Sequence, residues 1–356
     1  MKRKGLDYLA IADLPPPTQG ISIVSLWVVQ FLRENRARVE LCNTSAKPGF
    51  FYTFRRCLRF LIALQKVLKS NRRTAIYIAL SHGPSLYAQT IIVLLSKWKK
   101  HRIILHHHTF LPINSPKKLQ NRICHGTMRK RVEHIFLSKY MKEKYEDIWH
   151  PTGNRWVVTN HQIAALRTKS QIDGNKLKEG IKLCFAGRMS QEKGFWDCES
   201  VTRLLLTENL GIKAVFLGPI FHVEIFKAIE NLKQDFPLRF EHIGQYDESI
   251  LTRSLQDSSY FLFPSHYSNE ASPLVVLEAQ SLGNICITSN VGTLSTDVLS
   301  PGLAVDIKNW HKTVLEIVQL KRFNHLNLKL ATDRIREKSN ILALECDKQM
   351  KEVFRL

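Results

Sequence analysis

Short apolar, β-rich runs alternate along the chain with longer stretches whose apolar positions recur every three or four residues. "YLAIADL" (8–14) reads as a strand, and beyond the loop "PPPTQG" a helix is expected from about Ile21 to Arg33. "ARVELCN" (37–43), "AIYIAL" (75–80), "RIILHHH" (102–108), "HIFLS" (134–138) and "RWVVTN" (155–160) read as further strands, with helices over 52–70 and 85–100. On helix 52–70, Arg55, Arg56, Arg59 and Lys66 share one arc; Phe54, Leu58, Leu61, Leu64 and Leu68 share the other. The apolar arc is therefore expected on a sheet and the basic arc outside.

A polar, lysine-rich, glycine-containing segment at 167–180 reads as a linker, after which the pattern restarts. Strands are expected at 181–187, 212–218, 240–244, 260–265 and 285–289, interleaved with helices at 195–208, 222–234 and near 247–256, with two terminal helices. Strands alternating with helices of this length predict parallel sheets covered on both faces. The expected architecture is α/β, with Rossmann-like domains at 1–166 and 181–336 and a last helix, 337–356, packing on either one.

The length of 356 residues fits this division, being long for a single core. A content of 44% hydrophobic and 23% charged residues describes a globular chain, and no apolar run is long enough for a transmembrane helix. The start, "MKRKGLDYLAIADL", is broken by Asp7 and Asp13 and followed by prolines, so it reads as a first strand rather than a signal peptide. Seven cysteines without a CxxC argue for a reducing compartment and against a zinc site, and the expected location is cytoplasmic. The net charge of +21 changes the picture more. Between Glu40 and Glu133 there is no acidic residue, against eighteen Lys and Arg. A field of one sign over that length implies an anionic partner: nucleic acid, lipid headgroups or a phosphorylated substrate.

Four stretches carry candidate chemistry. In "CFAGRMSQEKG" (184–194) a strand ends at Gly187, and Arg188 and Lys193 flank a polar turn beyond the carboxyl end of a strand, where open α/β sheets bind ligands. Two cations there suit a diphosphate. In "LPPPTQGIS" (14–22) Gly20 permits close approach at a helix start, although the stretch is neither a GxGxxG nor a P-loop. In "LHHHT" (105–109) His106 and His108 share one strand face and His107 takes the other; His108 is the candidate hydrogen-bond partner or acid/base, and no third ligand supports zinc. "SNEASPLVVLEAQSLG" (268–283) places Glu270 in a loop and Glu278 on the helix that Pro273 introduces, with the N–H groups of Leu274 and Val275 free at its start.

"FAGRMSQEKG", followed some eighty residues later by "FPSHYSNEASPLVVLEAQSLGNICITSNVG", resembles the signature of the retaining family-4 glycosyltransferases, and the likeness extends over nearly the whole chain. The resemblance implies the GT-B architecture, two Rossmann-like domains facing each other across a cleft. It implies that Arg188 and Lys193 hold the donor diphosphate with Leu274, Val275 and Gly20, that Glu278 holds the ribose, and that Glu270 and His108 stand at the transferred sugar. Ala271 departs from the family's usual Gly, and "TNHQI" (159–163) from its usual Asn-Gly pair.

No Asp-x-Asp occurs, so the diphosphate is expected to be neutralised by protein cations without metal or other cofactor. The expected activity is metal-independent, retaining, hexosyltransferase-type transfer from a nucleotide-diphosphate sugar to a glycan acceptor. The acceptor is expected to be lipid-linked, in bacterial surface polysaccharide or lipopolysaccharide synthesis, and the basic half to rest on the anionic inner face of the membrane, with no nucleic acid as partner. The alternatives are a same-fold epimerase or phosphorylase, or a basic nucleic-acid or scaffold protein with an idle sugar-nucleotide fold.

Overall fold

The computed structural model describes residues 7–16, 19–46, 51–168, 181–208, 211–319 and 325–356. The chain divides into two compact units, Met1–Thr159 with Asp347–Leu356, and Asn160–Cys346.

The first unit contains β1 (Asp7–Ala12), α1 (Gly20–Glu34), β2 (Arg38–Asn43), α2 (Tyr52–Lys69), β3 (Ala75–Leu80), α3 (Pro84–Trp98), β4 (Ile103–His107), α4 (Leu111–Asn114), α5 (Leu119–Met128), β5 (Glu133–Phe136), α6 (Lys139–Trp149) and β6 (Arg155–Val157). Its six strands are parallel in the order β2-β1-β3-β4-β5-β6. Interior β3 is buried at every position, as the unbroken run "AIYIAL" requires, whereas edge strand β2 is largely open. Leu9, Ile11, Ile76, Ile78, Ile103 and Leu105 pack on one sheet face with α2, α3 and α5.

The second unit contains α7 (His161–Thr168), β7 (Ile181–Ala186), α8 (Phe195–Glu208), β8 (Ile212–Leu217), α9 (Val223–Asp235), β9 (Phe240–Ile243), α10 (Glu248–Gln256), β10 (Tyr260–Phe263), α11 (Leu274–Ser281), β11 (Ile285–Ser289), α12 (Leu294–Asp297), β12 (Leu303–Val305), α13 (Ile307–Gln319) and α14 (His325–Phe354). Its sheet is also six-stranded and parallel, in the order β12-β11-β10-β7-β8-β9. Reversal of strand order beside β7 puts the loops after β7 and β10 at a topological switch point, the place where such sheets bind ligands.

Several expected boundaries shift. The division falls at Thr159/Asn160 rather than at 166, because "HQIAALRT" is α7, with His161, Ile163, Ala164 and Thr168 buried and the Asn160 carbonyl accepting from Ala164 N–H at 3.1 Å. Of the expected linker only 167–168 is described, as the end of α7; 169–180 lies outside the described residues. The terminal helix begins at His325, not 337; Leu328, Ala331 and Ile335 join the second unit's core. Its last turns belong to the first unit, where the Phe354 carbonyl accepts from Tyr8 Oη at 2.6 Å. Strand β4 stops at His107, leaving His108 just beyond it.

The orientation of α2 is a larger correction. Phe60, Ala63 and Val67 are the residues it buries; of the expected apolar arc only Leu64 packs partly against the core, while Phe54, Leu58, Leu61 and Leu68 are exposed. The expected basic arc is partly consumed instead, Arg56 by Asp13 at 2.8 Å and Lys66 by Glu40 at 3.0 Å. Those two acids, Asp13 just beyond β1 and Glu40 within β2, together with the i, i+3, i+7 triplet, turn the helix about its axis.

Besides His101, four histidines are buried in the first unit. Tyr77 Oη is 2.9 Å from His106 Nδ1, His107 Nε2 2.9 Å from His134 Nδ1, and His125 Nδ1 3.0 Å from Tyr145 Oη. Burial pushes His125 and His134 down to about 3 and His106 and His107 well below their ordinary value. Each is neutral when folded, while the unfolded chain takes up protons below about pH 6.5. Stability is thus full above that pH and is lost as the pH falls toward the folded values, at about 1.4 kcal/mol per pH unit per histidine. Urea titrations followed by circular dichroism should show the first unit's midpoint level above pH 7 and falling steeply below 6. A midpoint unchanged down to pH 5 contradicts this account.

Candidate functional site

The loop after β7 is knitted to its neighbours by backbone. Gly187 N–H donates to the Leu217 carbonyl at 2.9 Å, Gly218 N–H to Ile243 at 2.9 Å, and Met189 N–H to Pro219 at 3.1 Å. A Cβ at Gly218 would stand 1.7 Å from the Gly187 oxygen, so the two loops approach as closely as glycine allows. A single 3₁₀ turn, Gln191–Lys193, follows, and Gly194, at φ 76°, closes it against the Pro264 carbonyl. Arg188 projects from this loop, exposed and with no ion pair among the described residues.

Lys193 is committed. Its ammonium donates to Glu270 Oε1 and stands 5.5 Å from the ring centroids of both Phe263 and Tyr267. Glu270 is 6% exposed and also accepts from Ser265 Oγ at 2.9 Å. The Arg188–Lys193 loop and the Glu270 loop are joined besides by His266 N–H donating to the Glu192 carbonyl at 2.8 Å.

Position 271, the departure from the family's glycine, is not where the backbone is left-handed; Ser272, at φ 51°, is. An L-residue there costs about 1–2 kcal/mol. Its neighbours hold it in place: Ser272 N–H donates to Thr293 Oγ1 at 2.6 Å, Thr293 Oγ1 to Asp297 Oδ2 at 2.6 Å, and Asn160 Nδ2 to the Ser272 carbonyl at 3.3 Å. Burial pushes Asp297 up to about 7. Asn160, which had no assigned role, is thus a brace for this turn. Helix α11 then begins with the N–H groups of Leu274 and Val275 unpaired among the described residues, since the helix's own bonding starts at Val276. The buried hydroxyls Ser190 Oγ and Ser272 Oγ also lack partners among the described residues. Two free N–H groups, two orphan hydroxyls and an unpaired guanidinium are the donors an oxygen-rich anion needs.

Glu278 lies one turn into α11, 3% exposed, and Arg167 Nε donates to its Oε1 at 2.5 Å. Arg167 also pairs with Glu248 at 3.2 Å. Burial pushes the Glu278 carboxyl above its ordinary value, and Arg167 offsets this only in part. Sequence reasoning missed Arg167 by placing it in a linker; the signal was the run of small and apolar residues after Asn160, spaced for a short helix.

Gly20 and His108 belong to the first unit. Gly20 is the first residue of α1, exposed, with nothing within 4 Å of where a Cβ would stand. The three histidines after Leu105 separate cleanly. His106 bonds Tyr77 and His107 bonds His134, while His108 is half-buried with its Nε2 unpartnered and its ring 4.2 Å from that of His106. Burial pushes His108 down to about 3, so it is neutral at physiological pH. His107, His108 and Asn121 help line a small recess in the first unit, of about 10 Å³. Among the described residues no group of three His, Cys, Asp or Glu is arranged to hold a metal ion.

Residues 167–329 match the family model described as Glycosyl transferases group 1. An uncharacterized 41.2 kDa protein in a cps region of Klebsiella pneumoniae is 24% identical over 281 residues, 76% of this chain and 75% of that protein. A glycogen synthase from Flavobacterium johnsoniae is 26% identical over 164 residues, 44% of this chain and 34% of the relative. Among solved structures, a sucrose-phosphate synthase from Thermosynechococcus elongatus superposes with a TM-score of 0.73 at 15% identity, covering 98% of each chain. Anabaena HepE in complex with UDP and glucose gives 0.68 at 13% identity, covering 98% of this chain and 99% of its own. The chain is a glycosyltransferase with the two-domain α/β fold of the GT-B class, and its group 1 glycosyltransferase domain lies in the second unit.

Arg167→Ala leaves Glu278 buried without its partner and should cost the second unit about 3 kcal/mol. Adding Glu278→Gln should restore most of the loss, read as urea midpoints at neutral pH. Equal losses in the single and double variants would show that Arg167 contributes by packing rather than by charge.

Proposed function

We propose that this glycosyltransferase moves a sugar, with retention and without a metal ion, from a nucleotide-diphosphate sugar to a lipid-linked glycan in surface polysaccharide synthesis at the cytoplasmic face of a membrane. The observation that carries the donor site is the unpaired Arg188 on the same loop as the Lys193–Glu270 pair, with α11 opening beside Glu270 on two free N–H groups. Anabaena HepE, bound to UDP and glucose, supports the nucleotide sugar, and the relative from a cps region supports the polysaccharide.

In this reading Arg188 and Lys193, with the N–H groups of Leu274 and Val275, take the diphosphate. Glu278 accepts the ribose hydroxyls, held in place by Arg167. Glu270 serves the transferred sugar, and Gly20 and His108 are assigned to the phosphates and the sugar. Charge develops on the departing diphosphate as the C1–O bond breaks, and fixed cations stabilise it most there. The acceptor hydroxyl attacks C1 from the face the diphosphate leaves and passes its proton to the departing diphosphate oxygen, so no protein nucleophile is required. Lys193 has to exchange part of its contact with Glu270 for phosphate, which frees a Glu270 oxygen for a sugar hydroxyl as the site fills. His108, held neutral by burial, contributes a hydrogen bond rather than a charge.

The test is calorimetric binding of UDP, GDP and ADP in the presence of a chelator. One nucleotide should bind to the wild type, and Arg188→Ala should lose roughly 2–4 kcal/mol of transition-state stabilisation in turnover with the matching sugar nucleotide. Glu278→Gln should weaken binding of the nucleoside diphosphate itself. Failure of all three nucleotides to bind a folded protein overturns the donor site, and turnover abolished by the chelator overturns metal independence.

A further inference from the structure

Helices α2 and α3 lie side by side on one face of the first sheet, sharing a core beneath them. They run in the same direction, since Lys99, just past α3, donates to the Val67 and Ser70 carbonyls at the end of α2, at 3.2 and 2.9 Å. Each presents a second apolar stripe outward. On α2 it is Phe54, Leu58 and Leu61, at i, i+4 and i+7; on α3 it is Ile91, Leu94 and Trp98, at i, i+3 and i+7. These side chains are 48–75% exposed, Trp98 the most. Monomeric proteins rarely expose contiguous apolar patches of this kind without a use.

The surrounding charge identifies that use. No acidic residue occurs between Glu40 and Glu133, so neither helix carries one. Arg56 and Lys66 are spent on Asp13 and Glu40. Arg55, Lys69, Arg72, Arg73 and Lys100 are exposed and have no ion pair among the described residues; four of these five cluster at the same end of the helix pair as Trp98. A second copy of the chain would bring two faces of the same sign together. An anionic bilayer answers both features at once, with phosphates for the cations and the acyl boundary for the apolar stripes.

We propose that the outer face of α2 and α3 docks in the interface of an anionic lipid bilayer, its apolar stripes inserted and its cations on the headgroup phosphates. The inference rests on the lipid-linked acceptor proposed above for its purpose, and its geometry differs from the sequence expectation in putting the apolar arc of α2, not only its basic residues, against lipid. No helix among the described residues is long and apolar enough to cross a membrane, so this would be attachment from one side.

The experiment is co-sedimentation of the full chain with phosphatidylcholine vesicles, with and without phosphatidylglycerol, for the wild type and two variants. Leu58→Ser/Leu61→Ser/Trp98→Ser removes apolar contacts; Arg72→Glu/Arg73→Glu reverses charge. All five positions are exposed, and circular dichroism verifies the fold. The wild type should bind only the anionic vesicles, with a shift of tryptophan emission to shorter wavelength that the variant lacking Trp98 does not show, and each variant should bind at least about tenfold more weakly. Binding of the apolar variant equal to wild type, absence of wild-type binding to anionic vesicles, or a wild-type dimer in light scattering that the apolar variant abolishes would each overturn the proposal. Nucleotide binding measured on the same samples separates the two readings. Vesicle binding lost with nucleotide binding retained in the wild type defeats the docking face alone, and the converse defeats the donor site alone.

Discussion

A carboxylate taken out of water has to be paired, and in the second unit that requirement organises the site. Glu270 and Glu278 are both nearly inaccessible, and each is matched to one cation, Lys193 and Arg167 respectively. The pairings have different consequences. Arg167 holds Glu278 from α7, a helix packed against α11, and adds Glu248 as a second anchor, so this carboxylate is fixed in place. Lys193 reaches Glu270 from a one-turn loop and rests near two aromatic rings. A compact ammonium on a flexible stem can turn from one anion to another, whereas a guanidinium gripped by two carboxylates cannot do so at similar cost.

That contrast gives the loop after β10 its form. The carbonyl of Glu270 is capped by Thr293 N–H at 3.2 Å and lies 2.0 Å from the position a Cβ would take at Gly292. Only glycine fits there, because the backbone of one loop is pressed against that of the other. The left-handed Ser272 follows, fastened by Thr293 and through it by buried Asp297. Strain of this kind persists only where the surroundings over-determine it. The result is a helix N-terminus whose first donors are left for a ligand.

Much of this was legible in the sequence, because it follows from period and punctuation. Strands β3 and β11 and helices α8 and α10 fall at or within a residue of where the apolar pattern puts them. Glu270 in a loop and Glu278 on the helix follow from Pro273, which stands at the N-cap of α11. What was illegible depended on partners distant in sequence. Arg167 looked like part of a polar linker because its carboxylate lies 111 positions away. Histidines 106 to 108 alternate as a strand must, yet only Tyr77 and His134 decide which of them are internal. Helices α4 to α6 escaped notice in a segment whose polar and apolar residues have no long period.

Helix α2 shows why a single amphipathic projection is insufficient evidence for which side is buried. Its sequence contains two apolar stripes, Phe60-Ala63-Val67 and Phe54-Leu58-Leu61, and a hydrophobicity count alone favours the second because it is larger. The first wins because a helix lying on a parallel sheet needs a small residue at closest approach, and Ala63 supplies it with zero exposure. Asp13 and Glu40 then add charge pairs that only this rotation satisfies. The larger stripe is consequently left in solvent next to cations that have no acids to meet. Its exposure costs the isolated protein solubility without adding to its core, so it is on the surface, not in the fold, that its function has to be sought.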